Sequence, residues 1–90
     1  MTHHDLKLWP RFFDAKVTGK KPWEIRSTRD RTYQVGDTVT FHSWSPNINA
    51  HLGDTYGPCT ITFVAIDEDH ALIRRGTCIF THTASQEVLP

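Results

Sequence analysis

The sequence is poor in the features that mark the commoner classes of small protein. It has two cysteines, Cys59 and Cys78, in apolar surroundings and without a CxxC or Cys/His zinc spacing; that excludes a disulfide-rich framework and a zinc knuckle, and two buried free thiols are favoured over one disulfide. No run of about 18 apolar residues is available to span a bilayer, and the opening MTHHDLKL has no apolar stretch of the signal-peptide kind. A cytoplasmic location away from membranes is therefore expected. The net charge is zero, which argues against a protein that coats long duplexes, because each neutralised phosphate is normally matched by a Lys or Arg. His42, His51, His70 and His82 show no recurring ligand spacing and read as surface or capping residues, so no metal and no cofactor is expected. Internal repeats and low-complexity segments are also lacking.

What the chain does have is a concentration of charge. Lys16, Lys20, Lys21, Arg26, Arg29 and Arg31 stand against Glu24 and Asp30, a local net of +4 inside a neutral protein of 90 residues. Such a patch would draw a polyanion, a nucleotide or an electron-rich base. A chain of this length forms one domain, residues 1–90, and buries only roughly 60 to 65% of its unfolded surface, so little core is spare for a second site.

Asp5 to Trp9 alternates as a half-buried strand, with Leu6 and Leu8 on one face and Lys7 on the other. Pro10 suits the first turn of a helix carrying Phe12, Phe13 and Val17 as its apolar stripe, and Gly19 can end it. Trp23 and Ile25 then alternate with Glu24 and Arg26, which predicts the first pair inward and the second together on the opposite face. Ser27 to Arg31 reads as a loop, Gln34 to Asp37 as a turn, and Val39 and Phe41 as the inward residues of the next strand. Ser45 to Pro58, with two prolines, two glycines and two asparagines, reads as a long loop able to cover a site. Cys59 to Ile66 is β-branched and nearly continuous in apolar content, the pattern of a central strand covered on both faces, with Phe63 in the core. Ala71 to Ile73 and Thr77 to His82 complete the sheet, and the tail from Thr83 to Pro90 is peripheral. The fold class is α+β, mainly β: five or six short strands with one N-terminal helix, favouring a small β-barrel whose closure would remove exposed edges.

Among the polar residues, Lys21 is the first catalytic candidate, since a partly buried lysine beside other cations would have a depressed pKa and could act as a general base; the alternative is a solvated loop lysine. Glu24 and Arg26 are either an exposed ion pair or two separate tools, the carboxylate accepting from a base amino group and the guanidinium binding phosphate or an oxyanion. Tyr33, Trp44 and Tyr56 could stack on a base, while Trp23, Phe12, Phe13, Phe41 and Phe80 read as core.

The motifs His4-x-Leu6-Lys7, Phe12-Phe13, Gly19-x-Lys21-x-x-Glu24-Ile25-Arg26 and Asp30-Arg31-x-Tyr33-x-Val35-Gly36-Asp37 together resemble the ASCH superfamily, with its PUA-like β-barrel, and within it a small branch of bacterial and phage proteins. The resemblance spans residues 4 to about 41 and is looser beyond. It implies a cleft beside the barrel for a nucleobase or RNA end, with Lys7 near it, and similarity to the small amidohydrolases that remove acetyl from the exocyclic amine of acetylcytidine. In those enzymes a threonine nucleophile stands three residues after the lysine, where this chain has Glu24. The expectation that follows is an amidohydrolase acting on acylated cytosine nucleosides, with Glu24 activating water, Lys21 polarising the amide, and Ser27 and Thr28 as fallback nucleophiles. Lys7, Arg26, Arg29, Arg31, Tyr33 and Tyr56 would bind the substrate. The alternative is a non-catalytic module binding a modified nucleoside or short single-stranded RNA through the same patch, with Arg29 and Arg31 on phosphates.

Overall fold

A computed structural model describes residues 1–85; of the expected peripheral tail, residues 86–90 lie outside the described residues. The chain runs β1 (His3–Leu8), α1 (Pro10–Val17), β2 (Trp23–Ser27), β3 (Thr38–Ser45), β4 (Ala50–Ile66) and β5 (Thr77–His82). The class is mainly β with one short helix near the N-terminus. No helix among the described residues is long and apolar enough to cross a membrane.

Local chemistry explains the first elements. Leu6 and Leu8 turn inward from β1 with His4 between the same walls, and Lys7 faces out. Pro10 occupies the first position of α1, where its missing N–H is no loss and its φ is already helical. The helix closes through the Thr18 N–H on the Asp14 carbonyl, followed by Gly19 at φ +79°.

The sheet order is β1-β3-β4-β5-β2, with β1 parallel to β3 and every other pair antiparallel. The expected barrel closure is not made: β1 and β2 are the edges and no ladder joins them. β4, at 17 residues, changes partner along its length, pairing with β3 from Ala50 to Thr60 and with β5 from Ile61 to Ile66. Across the open seam the Arg26 guanidinium donates to the Lys7 carbonyl at 3.1 Å. On the helix side, the Lys16 ammonium donates to the Trp23 carbonyl at 3.0 Å. The Arg26 side chain thus ties the two edges where no backbone ladder does, and Lys16 ties the helix to β2.

The core gathers Leu6, Leu8, Phe13, Val39, Phe41, Cys59, Ile61, Cys78 and Phe80, with the Tyr33 ring stacked 5.1 Å from Phe80. Both cysteines are free and buried. At one corner the buried His4 ring lies 4.7 Å from Tyr33, and its Nε2 lies 2.9 Å from Asp37 Oδ2. Asp37 also accepts the Thr2 and Gln34 backbone N–H groups, each at 3.0 Å. Burial tends to raise this carboxyl, but His4 and the two amides outweigh it and hold the pKa below its ordinary value. His4, Tyr33 and Asp37 therefore form an architectural corner.

Several sequence expectations are corrected. Ser45 to Pro58 is no loop: after the short turn Pro46 to Asn49, with Asn49 at φ 51°, the chain returns as the first half of β4. Its strand-poor composition is accommodated by two register shifts against β3. Ala71 to Ile73 lies in the connection between β4 and β5, because Ile66 already pairs with Cys78. β4 is covered on one face only: Gly57, Cys59 and Ile61 are buried while Pro58 and Thr60 between them are partly exposed, and beyond the register shift after Ile61 Phe63 is exposed. On α1 the inward companion of Phe13 is Lys16, not Val17. Most consequential, β2 has the opposite phase to that expected: Glu24 is buried and Trp23 and Ile25 are exposed. A carboxylate can occupy the inner face when enough cations meet it there, and three do.

Candidate functional site

The site begins with that inverted strand. Glu24 Oε2 lies 2.7 Å from Lys16 Nζ and 2.6 Å from Lys21 Nζ, while Oε1 lies 3.3 Å from Arg26 Nη2. Lys16 reaches the carboxylate from α1, Lys21 from the segment before β2, and Arg26 from two positions along the same strand. Burial acts to raise the Glu24 carboxyl, but the hydrogen bonds from Lys16 and Lys21 and the nearby charges prevail, so its pKa lies below the ordinary glutamate value.

Lys16 was not singled out by sequence, because a helix lysine is normally solvated. The residue is 1% exposed, and its Nζ meets three acceptors: Glu24 Oε2 at 2.7 Å, the Trp23 carbonyl at 3.0 Å and His82 Nε2 at 2.8 Å. Nδ1 of His82 lies 2.6 Å from the Thr83 carbonyl; the donor there must be Nδ1–H, so Nε2 carries the lone pair and accepts from Lys16. Burial pushes the Lys16 ammonium down to about 8, with Glu24 partly opposing the shift, and burial likewise lowers His82. The surface or capping role expected of His82 gives way to a buried one. The lysine with the displaced pKa is thus Lys16, behind the candidate site, and all three of its protons are engaged.

In front of Glu24 opens a cleft of about 380 Å³. Leu8, Trp9, Phe12, Trp23 and Ile25 supply its apolar walls, and Lys7, Lys21, Glu24 and Arg26 its polar groups. The Lys21 ammonium sits 4.9 Å from the Trp23 ring centroid and 5.5 Å from that of Phe12, within cation–π range of both. The exposed Trp9, Trp23 and Ile25 are explained by this cleft. Two aromatic walls and a floor of fixed charge match the general form of a site for a planar polar ligand.

Four of the sequence-predicted residues, Lys7, Lys21, Glu24 and Arg26, are therefore brought together. The others are elsewhere. Arg31 and Tyr33 border a shallower depression beyond Arg26, with most of the Tyr33 ring in the core and burial raising its phenol pKa. Arg29 lies beside the turn before β5. Tyr56 pairs with Phe41 across the β3–β4 ladder and packs on the core. Ser27 ends β2 with its Oγ accepting from the Arg29 N–H, and the Thr28 N–H is bonded to the Gly76 carbonyl; neither residue borders the cleft. Trp44 is outside the cleft lining, with the Lys7 ammonium 3.9 Å from its ring centroid. Sequence reasoning missed Trp23 as a wall because it placed that residue inward, and Trp9 because it assigned that residue no role. Among the described residues no group of three or more His, Cys, Asp or Glu is placed to hold a metal ion.

Comparison with known proteins gives two matches. A family model described as "Domain of unknown function (DUF3850)" matches residues 3–81. A stretch of 41 residues is 44% identical to the "Uncharacterized 12.9 kDa protein in GpA 3'region" of Escherichia phage P2, covering 46% of this chain and 37% of that protein. The chain thus spans little more than a third of the length of this curated relative.

Proposed function

We propose that this chain, which belongs to the DUF3850 family of domains of unknown function, is a nucleobase-binding domain that takes a base bearing an exocyclic amine, as in cytosine, from a nucleoside or a single-stranded segment. The observation that carries this reading is the pairing of exposed Trp9 and Trp23 with an ionised Glu24 in one cleft. Aromatic walls accept any base face. A carboxylate held below its usual pKa remains a hydrogen-bond acceptor across the physiological range, and so favours a ligand edge that donates, such as the amine of cytosine. Lys21 and Arg26, on either side, supply donors for a ring carbonyl or nitrogen.

Titrating the protein with cytidine and uridine while following tryptophan fluorescence tests this directly. Saturable quenching by cytidine, stronger than by uridine, is the expected result. No response to either nucleoside at millimolar concentration would remove the reading.

Hydrolysis of acylated cytosine nucleosides is the second reading, favoured by the Lys21 ammonium 2.6 Å from Glu24 at the mouth of the same cleft. There Lys21 would polarise the acyl oxygen. Glu24 is the weak part of that mechanism, because a carboxylate stabilised by three cations is a poor base toward water. Incubation with N-acetylcytidine, followed by its ultraviolet spectrum, separates the readings: conversion to cytidine establishes the hydrolase, and binding without conversion leaves the module.

A further inference from the structure

Pairing of β2 with β5 carries a second basic group up to the first. Ser27 is opposite Thr77 at the end of that ladder, and the Thr28 N–H reaches the Gly76 carbonyl at 2.9 Å. The turn before β5 is thereby laid against the loop after β2, and Arg74 and Arg75, more than forty residues from Arg29 in sequence, come to border the same depression of about 370 Å³ as Arg26 and Arg29.

The depression is built for anions. Among the described residues four arginines line it and no carboxylate does; the acids of the preceding turn, Asp67, Glu68 and Asp69, are outside its lining. Among the described residues, Arg29, Arg74 and Arg75 make no ion pair, whereas Arg26 is paired with Glu24. Gly76, at φ +76°, leaves room for the Arg29 guanidinium: a Cβ there would stand 3.0 Å from Arg29 Nε. Three clustered guanidiniums without a partner repel one another and gain most from an incoming anion, and planar guanidinium matches phosphate oxygens better than any other side chain. The depression also adjoins the base cleft, since Ile25 and Arg26 belong to the walls of both.

From this juxtaposition we infer that Arg29, Arg74 and Arg75 form a phosphate subsite, and that the ligand of the domain is a short single strand whose base enters the Trp9/Trp23 cleft while a neighbouring phosphate is held by the arginines. The inference rests on the base-binding reading for the first half of that ligand. Arg26 is the hinge between the two, tied to Glu24 on one side and facing the arginine depression on the other. A free nucleoside would use only half of the surface.

The test compares wild type, Arg74→Ala/Arg75→Ala, Arg29→Ala and Trp23→Ala against cytidine, a cytidine tetranucleotide and an abasic tetranucleotide. All three arginines are exposed, two of them in a turn, and unchanged thermal melts confirm that each variant folds. Wild type is expected to bind the tetranucleotide at least tenfold more tightly than cytidine. Arg74→Ala/Arg75→Ala should abolish that advantage, leave cytidine affinity within twofold, and flatten the plot of log K against log salt by ~0.7 per lost phosphate contact. Equal tetranucleotide affinity in wild type and in both arginine variants overturns the subsite, while the base reading stands if cytidine still binds and Trp23→Ala weakens it. Conversely, an abasic strand bound as tightly as the tetranucleotide, with no effect of Trp23→Ala, removes the base reading and leaves the arginines as an anion site alone. Absence of binding to every probe at low salt overturns both.

Discussion

Lys16 and Glu24, 2.7 Å apart and both shut off from solvent, join the only helix among the described residues to the edge strand that floors the cleft. The ammonium spends its three protons on Glu24, His82 and the Trp23 carbonyl, while the carboxylate takes Lys21 on the same oxygen and has Arg26 3.3 Å from the other, Oε1, which keeps acceptor capacity. Removing one partner of such a group leaves buried charge uncompensated, at a cost of about 3 to 5 kcal/mol. Glu24→Ala is therefore expected to lose stability on that scale, measured by urea denaturation. Lys16→Met, which keeps an unbranched apolar side chain and leaves Glu24 two cations, should cost clearly less. Equal losses for the two variants would refute this account of the network.

The same pair gives a pH signature. The folded Lys16 pKa of about 8 lies below the ordinary 10.5, so between those values the unfolded chain holds a proton that the folded one has released. Stability contributed by this group must then rise with pH from about 8 to about 10.5, in contrast to a lysine stabilised by its partner. Glu24 and Asp37 have the same sign in a lower pH window: each is depressed in the folded state, so each stabilises above its ordinary pKa, and that contribution is lost as pH falls through the folded value. Denaturation of wild type and Lys16→Met at several alkaline pH values isolates the lysine. The difference in unfolding free energy should move in favour of wild type as pH rises, and a flat difference would contradict the assignment.

How much of this was legible in the sequence depended on whether polarity and burial agreed. β1, β3 and β5 alternate in the ordinary sense, and Pro10 and Gly19 bracket α1 as expected. That Lys7, Lys21, Glu24 and Arg26 border one cleft was an expectation of the family resemblance, not of local pattern. The phase of β2 was not legible, because its alternation is perfect and only its sign is reversed: nothing local reveals that Lys16 and His82, one on the helix and one 66 residues further on, will converge behind Glu24. Arg74 and Arg75 escaped for a related reason, since only the β2–β5 register sets them beside Arg29. In the first half of β4, turn-forming composition was outweighed by pairing with β3, and that is a tertiary effect.

Two tryptophans, one in the cleft lining with Lys7 and one outside it, provide an internal control for the cleft. Trp23 lines it, while Trp44 packs under the Lys7 ammonium and against His51, outside the lining. Stacking on a base contributes roughly 1 to 3 kcal/mol by alanine substitution, so Trp23→Ala should weaken cytidine binding about fivefold to a hundredfold by the same range. Trp44→Ala should leave it nearly unchanged. Calorimetric titration of both variants decides the matter, and a larger loss from Trp44→Ala would move the site to the other face.

Gly57 marks where β4 must change its fit to β3. Its φ is +146°, and a Cβ would stand 2.7 Å from the Val39 carbonyl oxygen and 2.8 Å from Thr40 Cα, both backbone atoms that cannot yield cheaply. The register shift between Val39 and Phe41 falls opposite this residue. Gly57→Ala combines a disfavoured backbone region, roughly 1 to 3 kcal/mol, with that clash. A stability loss of at least that size is expected from thermal or urea unfolding, and a neutral substitution would mean that the two strands pair differently there.

Arg26 is where architecture and ligand binding meet, because one guanidinium spans the seam that the sheet leaves open. Nη2 donates to the Lys7 carbonyl at 3.1 Å and lies 3.3 Å from Glu24 Oε1, so it fixes β1 against β2 and orients the carboxylate of the cleft at the same time. Lysine keeps the charge but replaces a planar fork by a single point. Arg26→Lys should therefore retain most of the ion pairing with Glu24 and lose the bridge, costing about 1 to 3 kcal/mol as a charged hydrogen bond. The diagnostic readout is local rather than global: amide exchange should accelerate at the facing edges of β1 and β2, with the β3–β4 ladder unaffected, and cytidine affinity should fall because the two walls of the cleft belong to different edges. Unchanged exchange at both edges would show that α1, through Lys16 and the Trp23 carbonyl, holds the seam without Arg26.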